Sequence, residues 1–359
     1  MNGIAGKDGS GLASGVKPER LKEITSKYSG LKIAVAGDIC LDRYFEIDPK
    51  REEISLETNL PVHNVTRVRC QPGAAGTILN NLVALGIGTV YPVAIVGQDG
   101  EGYELMRSLE KLPGVNLSGI IESGQRRTFT YSKPLVIESG KAPVELNRLD
   151  IKNWSHTPEV LQGEVVKQIR ALVGKVDALI VMDQVDQAET GVVTRKVLDA
   201  IGEIAVNNPK LLILADSRRS LRGYPRVSLK MNAAEFAALT GENRSLSTEE
   251  VLSRARLLSE EFGKHVFITM AERGMAGACG GKVEHTGAMP LRGEIDIVGA
   301  GDSVTANLTA ALAAEAGMKE AMEIAQLASS IVIHQLGTTG TATVNAVAEL
   351  LVNSPFLEE

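Results

Sequence analysis

The sequence has little cysteine, no long apolar run and no excess of positive charge. Its three cysteines, spread over 359 residues, are too few and too scattered for a disulfide framework and are typical of a reducing compartment. No stretch approaches the ~18 to 20 consecutive apolar residues of a membrane span. The N-terminal segment contains no apolar run of the kind found in a secretory signal. We therefore expect a cytoplasmic protein with no membrane partner.

Charge and histidine content argue against two further classes of function. The formal net charge of −6 gives no general attraction to nucleic acid, so no nucleic-acid partner is predicted. The five histidines show no paired spacing for a zinc site. With 44% hydrophobic and 23% charged residues, the chain has the composition of a globular protein with a sizeable core. Its partners are therefore expected to be small molecules or further copies of itself.

Alternation of strand-like and helical segments indicates the fold class. From residue 31 onward, short apolar runs alternate with amphipathic helical patterns, the signature of βαβ units around a mostly parallel sheet. We predict an α/β domain over residues 31–359, with helices flanking a central, mostly parallel sheet. Residues 1–30 are predicted to be an N-terminal extension, disordered up to residue 15, with a short helix from Pro18. The candidate buried strands are 32–36, 90–96, 178–182, 211–215 and 266–270.

Two segments interrupt this alternation, at about residues 43–70 and 126–150. Both alternate polar and apolar side chains, which suits half-exposed strands rather than buried parallel ones. Because they flank early βα units, a small sheet built from them would stand near the carboxyl ends of the main strands, where open α/β sheets bind ligands. The segments therefore predict a small β-sheet lid, or a clasp between two copies.

A glycine turn at residues 299–302 is the most informative motif. Gly299, Ala300 and Gly301 precede Asp302 and an apolar helical run, an arrangement that exposes the first amides of a helix to an anion. Asp302 would repel a phosphate unless it accepts the proton of an attacking hydroxyl, for which an ordinary Asp pKa would suffice. Alternatively, Asp302 is only an N-cap. The turn alone favours this second interpretation.

Two further motifs suit a sugar. Asp38 and Asp42 follow the first strand, and carboxylates accept hydrogen bonds from neighbouring hydroxyls. Asp38 has an alternative role in a turn that bonds its own backbone. The small-residue turn that contains Gly73 and Thr77 would let a ligand approach the backbone, or would serve close helix packing instead.

Other motifs suit a nucleotide, a metal ion or a phosphate. Asn232 and Glu235 would share one face of a helix and could orient Mg²⁺ or its waters, although the same spacing is that of a capping pair. The segment from Thr269 to Gly274 would line a nucleotide or simply turn the chain. Two cationic groups could bind the phosphate of an acceptor, or be solvated surface charges. They are Arg126, Arg127, Lys133 and Arg148 in the lid, and Arg218, Arg219, Arg222 and Arg226 in a later loop.

Taken in this order, these segments resemble the ribokinase-like (PfkB-type) carbohydrate kinases over about residues 31 to 352. Among these they are most similar to the kinase domain that phosphorylates heptose 7-phosphate in ADP-heptose synthesis. The motifs that carry the resemblance are residues 37–44, 72–86, 148–150, Asn232 with Glu235, 296–302 and 336–338. The resemblance implies a ribokinase-like fold with a small β lid that pairs into a homodimer. It also implies ATP-dependent phosphoryl transfer to a sugar hydroxyl with Mg²⁺, with a monovalent cation as a further candidate cofactor.

The resemblance also assigns roles to residues. Asp302 matches the catalytic base, and Gly299, Ala300 and Gly301 match the anion hole for the transferred phosphoryl group. Asp42 matches the acid that binds the sugar. The other predicted substrate-binding residues are Asp38, Gly73, Thr77 and Arg148. The predicted nucleotide-side residues are Asn232, Glu235, Thr269, Gly274 and Gln326, with Asn232 and Glu235 holding the metal through water.

The sequence departs from the family pattern at several positions. Ala74 and Thr77 stand where the family has a second glycine and an asparagine, and they change the sugar-facing surface. Val298 replaces a common threonine and Gln326 a common asparagine on the nucleotide side. Residues 183–187 read Asp-Gln-Val-Asp-Gln where the heptose kinases have Asp-Tyr-Ala-Lys-Gly. Two hypotheses follow: an active sugar kinase, and a catalytically idle sugar or nucleotide sensor on a kinase scaffold. A Rossmann dehydrogenase lacks support because no G-x-G-x-x-G follows the first strand.

Overall fold

A nine-stranded sheet runs through the protein in the computed structural model, which describes residues 15–353. Its strand order is β16-β15-β14-β13-β12-β11-β1-β6-β7, and neighbouring strands are parallel except where β15 pairs with β14 and β16. The strands of this sheet are β1 (Lys32–Gly37), β6 (Thr89–Gly97), β7 (Ile120–Ser123), β11 (Ala178–Asp183), β12 (Leu212–Ser217), β13 (Ser228–Asn232), β14 (Val266–Thr269), β15 (Met275–Cys279) and β16 (Lys282–Thr286). The predicted α/β architecture is confirmed.

Helices cover both faces of this sheet. Alternate residues of β1 belong to two separate apolar clusters, with Ile33 and Val35 in one and Ala34 and Ala36 in the other. This is why the strands read as continuous apolar runs. The helices are α1 (Pro18–Thr25), α2 (Ala75–Ala84), α3 (Gly100–Leu109), α4 (Glu159–Leu172), α5 (Arg195–Asn207), α6 (Ala233–Leu239), α7 (Thr248–Phe262), α8 (Ala300–Ala313), α9 (Met318–Val332) and α10 (Val344–Val352).

Strand β1 is the switch point of the sheet: the chain first adds β6 and β7 on one side of β1 and then β11 to β16 on the other side. It pairs with β11 on one side and β6 on the other, and all three strands are parallel. Ligands bind at the carboxyl ends of the strands beside such a switch point. The residues that follow β1, β11, β12 and β13 therefore meet at one edge of the sheet.

The structure describes only the second half of the predicted N-terminal extension, residues 15–30. Helix α1 contributes Leu21 and Ile24 to the same apolar cluster as β1, and Tyr28 joins them. Residues 15–30 thus form part of the core rather than an appendage, because their apolar side chains complete it. The predicted disorder concerns residues that lie, apart from Gly15, outside the described part of the chain.

The interrupting segments form a second sheet, the lid. Its path is β10-β8-β2-β5, with β9 also paired to β8; β2 and β8 are parallel, and the other pairs are antiparallel. The lid strands are β2 (Ile39–Ile47), β5 (Val65–Ala74), β8 (Thr130–Val136), β9 (Val144–Glu145) and β10 (Leu149–Ile151), and a small hairpin adds β3 (Glu53–Ile54) and β4 (Pro61–Val62). The lid begins earlier than predicted, because β2 continues almost directly from β1.

Within residues 15–353, no helix combines the length and apolar character needed to cross a membrane.

Candidate active site

The N-terminus of α8 follows the glycine turn predicted to handle phosphate. Gly299 is the N-cap residue, with a φ of 83°, which glycine adopts without strain. The helix begins at Ala300, so Asp302 lies in its first turn, and the alternative that Asp302 serves as N-cap is wrong. Within residues 15–353, the amides of Gly301 and Asp302 donate to no backbone carbonyl. The turn therefore presents free amides at the positive end of a helix dipole, as an anion site requires.

The Asp302 carboxyl lies half-buried among other charged groups. Burial and then the negative charge of Asp216 raise its pKa to about 7; Lys230 opposes the shift, and Asp42 adds to it. An ordinary pKa would suffice for a base, but the desolvated position gives Asp302 a higher one. A carboxyl group with this pKa can accept and release a proton near neutral pH.

Asp42 and Lys133 form a buried ion pair on the lid. Asp42 lies opposite Tyr131 and Tyr44 lies opposite Lys133 in the β2–β8 register, so these four side chains share one face. Lys133 Nζ lies 3.3 Å from Asp42 Oδ1 and 3.4 Å from the Tyr44 hydroxyl. Burial raises the pKa of Asp42, while Lys133 opposes that shift. This face therefore offers a hydroxyl acceptor beside a cation.

The turn before α2 packs directly against Asp42. A Cβ at Gly73 would lie 2.6 Å from Asp42 Oδ2 and 2.8 Å from Cys40 Sγ, so any larger residue would displace these side chains. Ala74, which replaces the second glycine of the family, has φ 56° and ψ −123°. A side chain in such a conformation costs about 1 to 3 kcal/mol. The chain thus keeps the backbone geometry that glycine would adopt and carries strain near Asp42.

Distant segments converge on the Gly299 turn. A Cβ at Gly299 would lie 3.4 Å from Thr77 Cγ2 and 3.5 Å from Thr339 Cβ. The Gln71 side chain of lid strand β5 hydrogen-bonds to Thr339 and to Thr338. Thr77 is therefore buried against the Gly299 turn. The loop at residues 338–339 joins the lid to the Gly299 turn.

Asp38 is engaged by the backbone of a neighbouring loop. Its Oδ2 accepts the amide of Gln184 at 3.0 Å and its Oδ1 accepts that of Val192 at 2.7 Å. Burial, followed by the charge of Asp183, raises the pKa of Asp38 to about 7. In this arrangement Asp38 ties β1 to the segment after β11. Its predicted contact with sugar stays a prediction.

Arg148 belongs to a group of charged residues around Tyr131. Its guanidinium lies 4.8 Å from the Tyr131 ring centroid and binds both carboxylate oxygens of Asp150. Lys152 lies 3.4 Å from Asp150 and 2.7 Å from Asp186. Since Asp42 lies opposite Tyr131, this group is adjacent to the Asp42–Lys133 pair. By contrast, Arg126 is buried and donates to backbone carbonyls of Ser155 and Thr190.

Asn232 and Glu235 form the capping pair that the sequence left as an alternative. Asn232 Oδ1 accepts the Glu235 amide at 2.9 Å, and Glu235 Oε2 accepts the Asn232 amide at 2.7 Å. Burial raises the pKa of Glu235. Residues 15–353 contain no cluster of three or more Asp, Glu, His or Cys side chains suited to a metal ion. The second oxygen of Glu235 remains for an ion, which fits a Mg²⁺ held mainly by phosphate and water.

The predicted nucleotide-side residues fall into two neighbouring places. Asn232 and Thr269 lie opposite each other where β13 and β14 end. Gly274 has a φ of 82° and turns the chain between β14 and β15, where a Cβ would collide with the Thr286 carbonyl. Gln326 Nε2 donates to that same carbonyl at 3.3 Å, while its Oε1 is buried without a partner in the described chain.

Comparison with known proteins places the chain in a family. The family model described as pfkB family carbohydrate kinase matches residues 32–344. This chain belongs to that family. The bifunctional protein HldE of Gluconobacter oxydans is 30% identical over 336 residues, which cover 90% of this chain and 65% of that relative. The kinase therefore spans less than two thirds of the length of that relative.

Solved structures show the same fold. Arabidopsis thaliana ribokinase, complexed with ribose and ATP, gives a TM-score of 0.61 at 19% identity and covers 89% of this kinase and 98% of its own chain. Escherichia coli phosphofructokinase-2 gives 0.67 at 16% identity and covers 92% and 100%. At these identities the likeness concerns the fold. Together with the family match, it makes this chain a ribokinase-like sugar kinase.

Sequence reasoning missed three buried polar residues beneath the Gly299 turn of the kinase. Lys230 Nζ binds Asp216 Oδ2 at 2.7 Å, and the Thr305 hydroxyl donates to the same oxygen at 2.9 Å. A charged residue between Leu229 and Met231 in strand β13, two positions before Asn232, was the available signal. Asp183, at the end of β11, was also missed as a site residue; it binds Arg219 and Tyr224 through Oδ2, and Oδ1 has no partner in the described chain.

Proposed function

We propose that this kinase transfers the γ-phosphoryl group of ATP to a hydroxyl of a sugar phosphate, with Asp302 as the general base. The observation that carries the proposal is the Asp302 carboxyl, with its pKa of about 7, beside free amides at the start of α8. Those amides would stabilise charge on the transferred group. Asp302 would take the hydroxyl proton as the new oxygen–phosphorus bond forms and ADP leaves. A heptose 7-phosphate is the acceptor that the resemblance of the sequence motifs suggests.

Metal binding is proposed at the nucleotide side. The free oxygen of Glu235, with Asn232 beside it, would hold water of a Mg²⁺ that arrives with ATP and offsets the negative charge of its phosphates. Thr269, Gly274 and Gln326 would line the nucleotide. A monovalent cation stays a prediction, as do the homodimer through the lid and the cytoplasmic location. Support for the homodimer comes from exposed apolar side chains on the lid, among them Leu56, Leu60 and Val68.

The acceptor site supports a phosphorylated sugar over a neutral one. Asp42 would bind two hydroxyls, and Gly73, which has no side chain, leaves room for the Asp42 carboxylate. Lys133 is largely buried and keeps a raised pKa, because Asp42 and Tyr44 more than offset the effect of its burial. Arg148 and Lys152 add cationic groups on the adjacent strand end. A charged group on the acceptor would replace Asp42 and Asp150 as partners of these cations.

A screen for ADP release over sugars and sugar phosphates tests this function. We expect turnover with a phosphorylated sugar and much weaker turnover with the matching neutral sugar. In the Lys133→Met variant, KM for the phosphorylated acceptor should rise roughly tenfold to a hundredfold, as expected for the loss of a charge-assisted contact. The Lys141→Met variant, which removes an exposed lid lysine paired with Glu138, is the matched control and should leave KM unchanged. Equal KM values in both variants would contradict the acceptor assignment.

The pKa of Asp302 predicts the pH dependence of this activity. Because the base must be deprotonated, kcat/KM for ATP should fall about tenfold per pH unit below about pH 7 and level off above it. The measurement is a pH profile between about pH 5 and 9 in buffers of constant ionic strength. A rate that stays flat down to pH 5 would mean that Asp302 does not take the proton.

The second candidate is a catalytically idle sensor. It is favoured by the strained Ala74 and by Val298, half exposed where the family has a threonine. Ligand-induced stabilisation by ATP and by a sugar phosphate, without turnover on any acceptor in the screen, would support the sensor.

A further inference from the structure

Lys230 is a buried cation with unused hydrogen-bonding capacity. Only 5% of the residue is exposed, and the residues on either side of it in β13, Leu229 and Met231, belong to the apolar core. Its Nζ has three protons, and within the described chain it donates one hydrogen bond, to Asp216. Burial lowers the pKa of Lys230, but Asp216 more than offsets this effect, so the ammonium stays charged at neutral pH.

The position of this ammonium is as unusual as its burial. A Cβ added at Gly301 would lie 3.0 Å from Lys230 Nζ, so the ammonium sits directly against the turn whose amides are free. Asp302 and Glu235 also act on it electrostatically. The charge of Lys230 is therefore influenced by the carboxylates of both Asp302 and Glu235.

We infer that Lys230 is a catalytic residue whose ammonium binds the transferred phosphoryl group of ATP, held in place by Asp216 and Thr305. This inference rests on the proposed function. Two protons on Nζ are available for phosphoryl oxygens, and the adjacent amides supply further donors to the same group. Asp216 keeps the side chain extended toward Gly301, and the Thr305 hydroxyl holds the carboxylate from helix α8. The charge of Lys230 would then act on the γ-phosphoryl group and not on ADP.

A purely structural ion pair predicts something different. If Lys230 only neutralised Asp216, its loss would affect folding, and ATP and ADP would be affected alike. A contact with the γ-phosphoryl group instead predicts selective loss of ATP affinity. This difference can be measured without any sugar acceptor, so it does not depend on the acceptor assignment.

The test compares binding of the non-hydrolysable analogue β,γ-imido-ATP with binding of ADP, both with Mg²⁺, by calorimetry. In the Lys230→Met variant, the affinity for the analogue should fall roughly tenfold to a hundredfold, as expected for a hydrogen bond to a charged group. The affinity for ADP should change by less than about twofold. Equal losses for both nucleotides, or no loss for either, would overturn the inference.

A second variant covers the case in which Lys230→Met does not fold. The double variant Lys230→Met with Asp216→Leu removes both buried charges, which is better tolerated than leaving one unpaired. It should show the same selective loss. If the wild-type protein turns over no acceptor but the selective loss is found, the contact of Lys230 with the γ-phosphoryl group stands and the proposed function fails. If the wild-type protein turns over an acceptor but neither variant shows the selective loss, the inference fails and the proposed function stands.

Discussion

Asp302→Asn is expected to lower kcat by ~10²–10⁴, the range assigned to general bases, while the dissociation constants for ATP and the acceptor change little. The substitution keeps the shape of the side chain and removes its capacity to take the hydroxyl proton. The measurement is steady-state turnover with the acceptor found in the screen, together with nucleotide binding by calorimetry. A matched control is Glu315→Gln, which changes an acid just beyond the far end of α8 that is paired with Lys27, and it should leave kcat unchanged.

The free energy of unfolding of Asp302→Asn tests the environment of this carboxyl group without any measurement of activity. Because the folded-state pKa of Asp302 is raised, its carboxyl group contributes stability below about pH 4, and this contribution is lost as the pH rises through about 7. The Asp302→Asn variant should therefore gain stability over wild type at about pH 8 and show little gain near pH 4. Equal stability of the two proteins at both pH values would show that the carboxyl group is not desolvated.

Asp216→Leu is expected to have the largest effect on the free energy of unfolding. It leaves the Lys230 ammonium buried without its carboxylate partner and removes the acceptor of the Thr305 hydroxyl. Breaking a buried ion pair from one side costs about 3 to 5 kcal/mol. The measurement is urea unfolding at neutral pH, compared with Glu138→Gln, which breaks the exposed pair with Lys141 and should cost less than about 1 kcal/mol.

A double-mutant cycle separates the ion pair from simple loss of packing. Adding Lys230→Met to Asp216→Leu should recover most of the lost stability, because no unpaired charge then remains in the core. If the double variant is as unstable as the sum of the single variants, the two residues do not form an ion pair in solution.

The buried strands could be predicted from sequence because their side chains are apolar on both faces. The predicted strand at 178–182 differs from β11 by one residue, and that at 211–215 differs from β12 by one residue at its start and two at its end. The hairpin of β15 and β16 was not predicted. β15 (Met275–Cys279) is a short run of small residues, which carries little strand signal.

Individual site residues could be predicted where the chain leaves a strand or enters a helix. The candidate residues Asp38, Asn232 and Thr269 all lie at such positions, whereas Asp42 lies inside β2. The contacts between them could not be predicted, since they depend on residues that are far apart in sequence. The Gln71–Thr338 contact joins positions 267 residues apart. Lys230 was missed because the sequence does not show that its side chain lies beside Gly301.

The role of Asp302 is tested by transfer of label from γ-labelled ATP to a sugar phosphate, measured side by side for wild type and Asp302→Asn. We expect a labelled sugar product with wild type and at least about a hundredfold slower labelling with the variant, at equal ATP binding. Labelling at the same rate with both proteins would contradict the role of Asp302. Absence of labelled product with wild type on every sugar phosphate offered would contradict the assigned acceptor class.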